Sequence, residues 1–265
     1  MRLAGFSPFV ILMLLWLPGS LLAHQTGGES QKREAETDSG PRLASVNAAV
    51  AVAGDNELIF GKNADRSVPI ASVTKVMTAL VVLESGEPLD EWLTFHERHT
   101  PAAANAYSRI RIDSEMRRKD VLRIALMSSE NFAAYTLARS HPGGFDAFIE
   151  AMNAKAAALG MTGTRFVDPT GLSSENLSTA ADLVKLVNAA ADYPEIREYS
   201  TTGYFRGQFR QPRYSLSFGN TNALVHRDSW GVALSKTGYL SEAGRCLVMI
   251  SKMNGKEAVT VLLDS

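Results

Sequence analysis

Residues 69–83 read Pro-Ile-Ala-Ser-Val-Thr-Lys-Val-Met-Thr-Ala-Leu-Val-Val-Leu, and this run organises the reading of the whole chain. Among its apolar residues, those at 70, 73, 76, 77, 80, 81 and 83 follow mostly a 3.6-residue period. The extra apolar positions predict a helix buried on several sides rather than one with a single apolar stripe. Gly86 supplies its C-terminal stop. Upstream, residues 44–53 are small and β-branched and predict a buried strand. Gly54-Asp55-Asn56 is a turn signal, and Glu57 to Gly61 is the return strand.

Downstream, residues 107–112 (YSRIRI) alternate and predict a strand or extended segment. Helices are expected from about 117 to 127 and from about 131 to 139, the latter ended by His141-Pro142-Gly143-Gly144. Residues 145–159 are amphipathic, with Phe145, Phe148, Ile149, Met152, Ala156 and Leu159 on the core side. Thr179-Ala180-Ala181-Asp182 reads as a capping box that opens a helix to about residue 191. After Thr201 the pattern changes to short strands at 201–205, 213–218, 231–237, 245–252 and 257–263. Strands, then helices, then strands predict an α/β (α+β) fold. One sheet is built from both ends of the chain, with helices against it and a helical lobe inserted. The cleft between the lobes is the natural site.

Composition sets outer bounds. The 265 residues are 45% apolar and 21% charged, ordinary for a folded domain with a sizeable core. The 27 basic and 28 acidic residues nearly cancel, so no charge excess points to nucleic acid. A single cysteine, Cys246, excludes a disulfide within the chain and any multi-cysteine zinc site. His96 and His99 lack the spacing of a zinc-protease helix and are expected at the surface, so no metal or other cofactor is expected. At the N-terminus, Arg2, the apolar run Phe9 to Leu17, the break at Pro18-Gly19-Ser20 and Ala23 have the form of a secretory signal peptide over 1–23. The run is shorter than the ~20 residues that span a bilayer. An uncleaved anchor is the alternative, because Leu21 is large for its position before a cut after Ala23. Residues 24–42 have no large apolar side chain and read as a flexible tail, with the folded body from 43 to 265.

Three short patterns carry chemistry. Ser72-Val73-Thr74-Lys75 puts a hydroxyl and an amine one turn apart on one helix face, the Ser–Lys route to a nucleophile. Ser129-Glu130-Asn131 falls between two helices, and Lys236-Thr237-Gly238 falls at a strand end. Each has a plain alternative: a helix cap with a solvated lysine, a helix-initiating turn capped by Ser128 or Ser129, and a strand-end turn. The first two spacings arise readily by chance, whereas the third is rare. The three in this order, each in its own structural context, are the set found in penicillin-interacting serine enzymes.

The chain resembles the serine D-alanyl-D-alanine peptidases, the low-molecular-mass penicillin-binding proteins, and among them the D-alanyl-D-alanine endopeptidases. The likeness covers about residues 44–264. Besides the trio it rests on Ala71 with Met77-Thr78, Ala125-Leu126-Met127-Ser128, Ala151-Met152-Asn153-Ala154-Lys155-Ala156, Pro169-Thr170-Gly171-Leu172-Ser173, Asn220-Thr221-Asn222 and Tyr239. It implies a β-lactamase/DD-peptidase-like fold and a periplasmic enzyme that cuts D-Ala–diaminopimelate cross-links of peptidoglycan. Stem peptides and β-lactam antibiotics would be its ligands.

By the same resemblance Ser72 is the nucleophile, and Lys75, or a relay through Ser129, takes its proton. Ser129 passes a proton to the leaving amine. Asn131 holds Lys75 and a substrate amide, and Lys236 and Thr237 face a substrate carboxylate. Gly238 lets the strand approach the substrate, and the backbone N–H groups of Ser72 and Tyr239 stabilise the oxyanion. A DD-carboxypeptidase would use the same residues, and a penicillin sensor or inactive scaffold is the non-hydrolytic alternative. No E-x-x-L-N segment is present, which argues against a class A β-lactamase. The resemblance also implies that the body stops short of a further helix, leaving part of one sheet face uncovered. Tyr204, Phe205 and Phe209 are expected in the core, with a rim for a glycan strand as the alternative.

Overall fold

The computed structural model describes residues 42–98 and 107–265. The expected signal segment, nearly all of the expected tail, and His99 lie outside the described residues. The described chain opens with β1 (Asn47–Val52), β2 (Leu58–Lys62) and β3 (Val68–Pro69), then a 3-10 turn over Ala71–Thr74 and α1 (Lys75–Glu84). Next come β4 (Trp92–Thr94), β5 (Glu115–Arg117), α2 (Arg118–Met127), α3 (Asn131–Arg139) and α4 (Gly144–Ala158). β6 (Leu177–Ser178), α5 (Ala180–Ala191) and α6 (Pro194–Ser200) lead to the ribbon β7 (Tyr204–Phe209) and β8 (Tyr214–Gly219). The described chain closes with β9 (Val232–Leu240), β10 (Gly244–Met253) and β11 (Lys256–Leu263).

The main sheet is antiparallel in the order β2-β1-β11-β10-β9. Both ends of the described chain therefore meet, Asn47 opposite Leu263. One sheet face is closed by α5 and α6, burying Ala49, Ala51, Val248, Ile250, Val259 and Val261. On the other face Val50, Leu247 and Leu262 are half-buried. α1 touches each of the other five helices, and Val76, Met77, Leu80, Val81 and Val82 are all buried. Its many apolar positions are the sequence cause of that central place. Gly86 ends it at φ +72°, a conformation costly to a side chain.

Several local expectations are corrected. Residues 107–112 form no strand; they run beside the β7–β8 ribbon, where the Arg111 N–H donates to the Tyr214 hydroxyl at 3.0 Å. The strand predicted at 201–205 begins only at Tyr204 and extends to Phe209, because Pro194 opens a short helix through Ser200. Phe209 is buried and Phe205 half-buried, but Tyr204 is 66% exposed and not core. The capping box at Thr179 forms by half. Thr179 Oγ1 accepts from the Asp182 N–H at 3.0 Å, while the Asp182 carboxylate instead takes Gly163 N–H and the Thr164 hydroxyl.

Candidate active site

The nucleophile candidate sits on the 3-10 turn before α1, not on the α-helix itself. That turn is clamped from three sides. Thr74 Oγ1 donates to the Ala71 carbonyl at 2.8 Å, and Asn176 Nδ2 donates to Thr74 Oγ1 at 3.0 Å. Asn176 is wholly buried, and its Oδ1 accepts from the Val167 and Asp168 N–H groups. From the third side comes Gly171, whose φ is +78° and where an added Cβ would lie 1.9 Å from the Ala71 carbonyl oxygen. Only glycine fits there.

Lys75 opens α1 at 1% exposure. Its Nζ donates to Ser72 Oγ at 2.9 Å, Asn131 Oδ1 at 2.7 Å and the Thr170 carbonyl at 2.5 Å. Burial lowers its pKa to about 7. The negative charges of Asp168 and Glu130 oppose that shift, and Arg98 adds to it. The amine is therefore poised to hold or release a proton near neutral pH.

The Thr170 carbonyl is aimed by a turn that Asp168 organises. Asp168 Oδ1 accepts from Thr170 N–H at 2.6 Å, the Thr170 hydroxyl at 2.5 Å and Gly171 N–H at 2.8 Å. Its Oδ2 accepts from Ser173 N–H at 2.9 Å. This carboxylate thus acts as the hub of a tight loop and as a negative charge felt by Lys75.

Ser129 lies between α2 and α3 in the left-handed region, φ +59°. A serine held there is strained, and such residues cluster at functional sites. It faces the cleft, and its hydroxyl makes no hydrogen bond among the described residues. The helix cap expected of Ser128 or Ser129 comes instead from Glu130, whose Oε2 accepts from Ala133 N–H at 2.7 Å. Ser128 Oγ turns back to the Ile124 carbonyl.

Lys236-Thr237-Gly238 lies inside β9, with two further strand residues after it. The β9–β10 register places Thr237 opposite Leu247 and Tyr239 opposite Arg245. Gly238 permits close contact: an added Cβ would stand 2.9 Å from Ser72 N and 3.0 Å from Ala71 Cβ. Lys236 is 1% exposed, and its Nζ donates to the Thr237 carbonyl at 2.6 Å. Burial, and then the charge of Lys75, hold its pKa well below the ordinary lysine value. It makes no ion pair among the described residues. Thr237 Oγ1 meets Thr221 Oγ1 at 2.6 Å, and Thr221 N–H is anchored on the Met127 carbonyl at 2.9 Å. Tyr239 is exposed at the cleft mouth.

Ser72, Ser129, Asn131, Thr237, Gly238 and Tyr239 line one cleft of about 580 Å³. Lys75 and Lys236 lie buried beneath it. The fold thus gathers all eight sequence-selected residues. Sequence reasoning missed Asp168, the Thr170 carbonyl and Asn176, although Pro169-Thr170-Gly171-Leu172-Ser173 stood out as a segment. Cys246 also borders the cleft; burial pushes its thiol up to about 11, which keeps it protonated. His96 lies 3.5 Å from Asp113 at the surface, remote from this chemistry.

The model of the D-alanyl-D-alanine carboxypeptidase family of peptidases matches residues 34–265. The D-alanyl-D-alanine endopeptidase of Escherichia coli is 50% identical over 231 residues, 87% of this chain and 74% of that protein. The crystal structure of the Streptomyces K15 DD-transpeptidase superposes with a TM-score of 0.78 at 27% identity, covering 85% of this chain and 91% of that one. Penicillin-binding protein D2 of Listeria monocytogenes, in its cefotaxime-bound form, gives a TM-score of 0.72 at 29% identity, over 85% and 92% of the two chains.

Proposed function

This chain belongs to the D-alanyl-D-alanine carboxypeptidase family of serine peptidases, and from that premise we propose a mechanism in which Ser72 forms an acyl-enzyme with a D-alanyl carbonyl. The activity is that of a D-alanyl-D-alanine endopeptidase. The observation that carries the mechanism is the three-way grip on Lys75 Nζ by Ser72 Oγ, Asn131 Oδ1 and the Thr170 carbonyl.

Neutral Lys75 accepts the proton as Ser72 Oγ attacks. At its ordinary value near 10.5 it would be almost wholly protonated at pH 7; at about 7 half of it is ready. The backbone N–H groups of Ser72 and Tyr239 receive the oxyanion. Ser129, its hydroxyl uncommitted, hands a proton to the departing amine. The substrate carboxylate sits at Thr237 and gives Lys236 the counter-charge it lacks in the free cleft. Held against that counter-charge as a cation, Lys236 opposes protonation of nearby Lys75. Water later releases the acyl group by the same route in reverse.

The substrate is the D-Ala–diaminopimelate cross-link of peptidoglycan, the site of action is the periplasm, and β-lactams acylate Ser72. Support for the last is the likeness to a cefotaxime-bound penicillin-binding protein. The test is incubation with purified cross-linked muropeptide dimers and with pentapeptide monomers. Monomers released from dimers are expected. Release of terminal D-Ala alone would make the enzyme a carboxypeptidase, and acylation without peptide release would make it a sensor.

A further inference from the structure

The β7–β8 ribbon stands apart from the main sheet, and its two faces differ sharply. The inner face carries Phe209, Phe218 and Gly207; a Cβ on Gly207 would lie 2.6 Å from Met116 of β5. That face is fastened to the helical lobe. The outward face carries Tyr204, Arg206 and Gln208 opposite Gly219, Ser217 and Ser215. It is open to solvent apart from half-buried Ser215.

The outward groups are held in place by one another. Tyr204 OH donates to Ser217 Oγ at 2.5 Å, and Arg206 Nε donates to Ser215 Oγ at 3.1 Å. Arg109 lies along β8, its Nη2 on the Ser217 carbonyl at 2.7 Å. Neither Arg109 nor Arg206 has a carboxylate partner among the described residues. The acidic side chains of the adjoining segments are engaged elsewhere: Glu115 with Arg210, Asp113 near His96, Glu198 with Arg123. One unneutralised guanidinium, that of Arg206, therefore faces water on this face beside an exposed ring and hydroxyls, while that of Arg109, 5.7 Å from the inward Phe218 ring, stands at the ribbon's edge, in a chain whose net charge is −1.

The ribbon also joins the active cleft. β8 ends at Gly219, and Asn220-Thr221 follow; Thr221 Oγ1 touches Thr237 Oγ1. Asn220 Nδ2 ties that corner to the Ser200 and Thr202 carbonyls, just before β7 begins. Six residues of strand reach roughly 20 Å from this corner.

We propose that the outward face of the β7–β8 ribbon is an accessory binding surface for the sugar–peptide polymer that flanks the scissile cross-link. The proposal rests on the endopeptidase reading given above. Arg206 binds a carboxylate of a neighbouring stem peptide, with Arg109 adding positive charge at the ribbon's edge, and Tyr204 packs on a sugar face. The surface acts on polymeric wall and leaves the chemistry at Ser72 untouched.

The test uses the full chain with Tyr204→Ala and Arg206→Glu combined. In a Ser72→Ala background, cosedimentation with intact cross-linked sacculi is expected to weaken about tenfold, as loss of one stacking contact and reversal of one exposed charge imply. Binding by the parent is expected to fall with added salt. With Ser72 present, the paired variant should cut sacculi correspondingly less at limiting substrate, yet cut soluble dimers and take up penicillin at the parental rate. Parental uptake also reports an intact fold. Sacculus binding and cleavage equal to the parent would overturn the ribbon proposal while leaving cross-link hydrolysis standing. A parent that acylates but cuts neither dimers nor sacculi would overturn the endopeptidase reading, and this one with it.

Discussion

Gly238→Ala tests how tightly the site is built, because the substitution adds a single methyl where β9 crosses the nucleophile turn. The new Cβ would lie 2.9 Å from Ser72 N, 3.0 Å from Ala71 Cβ and 3.2 Å from the Ile70 carbonyl oxygen. Ordinary contact begins near 3.4 Å, so β9 and the turn must part by about 0.5 Å. The atom pushed away, Ser72 N, is backbone held by the Asn176 and Gly171 contacts and has no rotamer to escape into. An oxyanion donor works over about 2.7–3.1 Å, so this displacement takes it out of range. Loss of one donor costs about 3 kcal/mol in the transition state, or 10²–10³ in rate. Overpacking costs a further ~1–3 kcal/mol of stability. The assay is stopped-flow acylation by a fluorescent penicillin, with thermal unfolding followed by circular dichroism. Gly219→Ala is the control, since its Cβ meets nothing within 4 Å. A Gly238→Ala protein that folds and acylates within about threefold of the parent would refute the claim that β9 fixes the Ser72 amide.

Because neutral Lys75 is the base and its pKa is about 7, the acylation rate should rise about tenfold per pH unit below that value and level off above it; a flat profile from pH 5 to 9 would contradict the assignment. Lys75→Arg keeps the charge but cannot release a proton in this range, and should lower acylation by about 10²–10⁴. Asp168→Asn puts an amide donor against Ser173 N–H and removes a charge that favours protonated Lys75. The melting curve should show about 2 kcal/mol lost, and the acid limb should move to lower pH. Thr179→Ala removes the α5 cap at a cost of about 1 kcal/mol and should leave penicillin uptake unchanged.

The broad architecture was legible because periodicity is a local record of burial. The crowded apolar positions of residues 70–83 announced a helix in the middle of the core, and the small and β-branched residues 44–53 with the short strand-like runs after Thr201 announced strands of one sheet. Strands of two or three residues such as β3, β4 and β6 are too short to carry a period. Residues 107–112 alternate as a strand does, but they dock on the ribbon through the Arg109 guanidinium and the Arg111 N–H, not through a ladder.

At the site, motif spacing found the side chains that react. It did not find the groups that aim them. The Thr170 carbonyl is a backbone atom with no identity in the sequence, and Asp168 and Asn176 act through contacts with backbone and with a turn about a hundred residues upstream. A glycine in Pro169-Thr170-Gly171 signals a turn, yet the reason it must be glycine is the Ala71 carbonyl beside it. An exposed strand-end lysine was the plain alternative for Lys236, and the fold replaces it with a lysine 1% exposed whose pKa burial lowers first and the charge of Lys75 second.

The most direct test of the account is to label the protein and its Ser72→Ala variant with a fluorescent penicillin, map the adduct by peptide mass analysis, and offer both proteins cross-linked dimers. A stoichiometric adduct on Ser72, dimers converted to monomers, and neither event in a folded Ser72→Ala protein is the predicted result. An adduct on another residue, or dimer cleavage that survives the loss of Ser72, would contradict it.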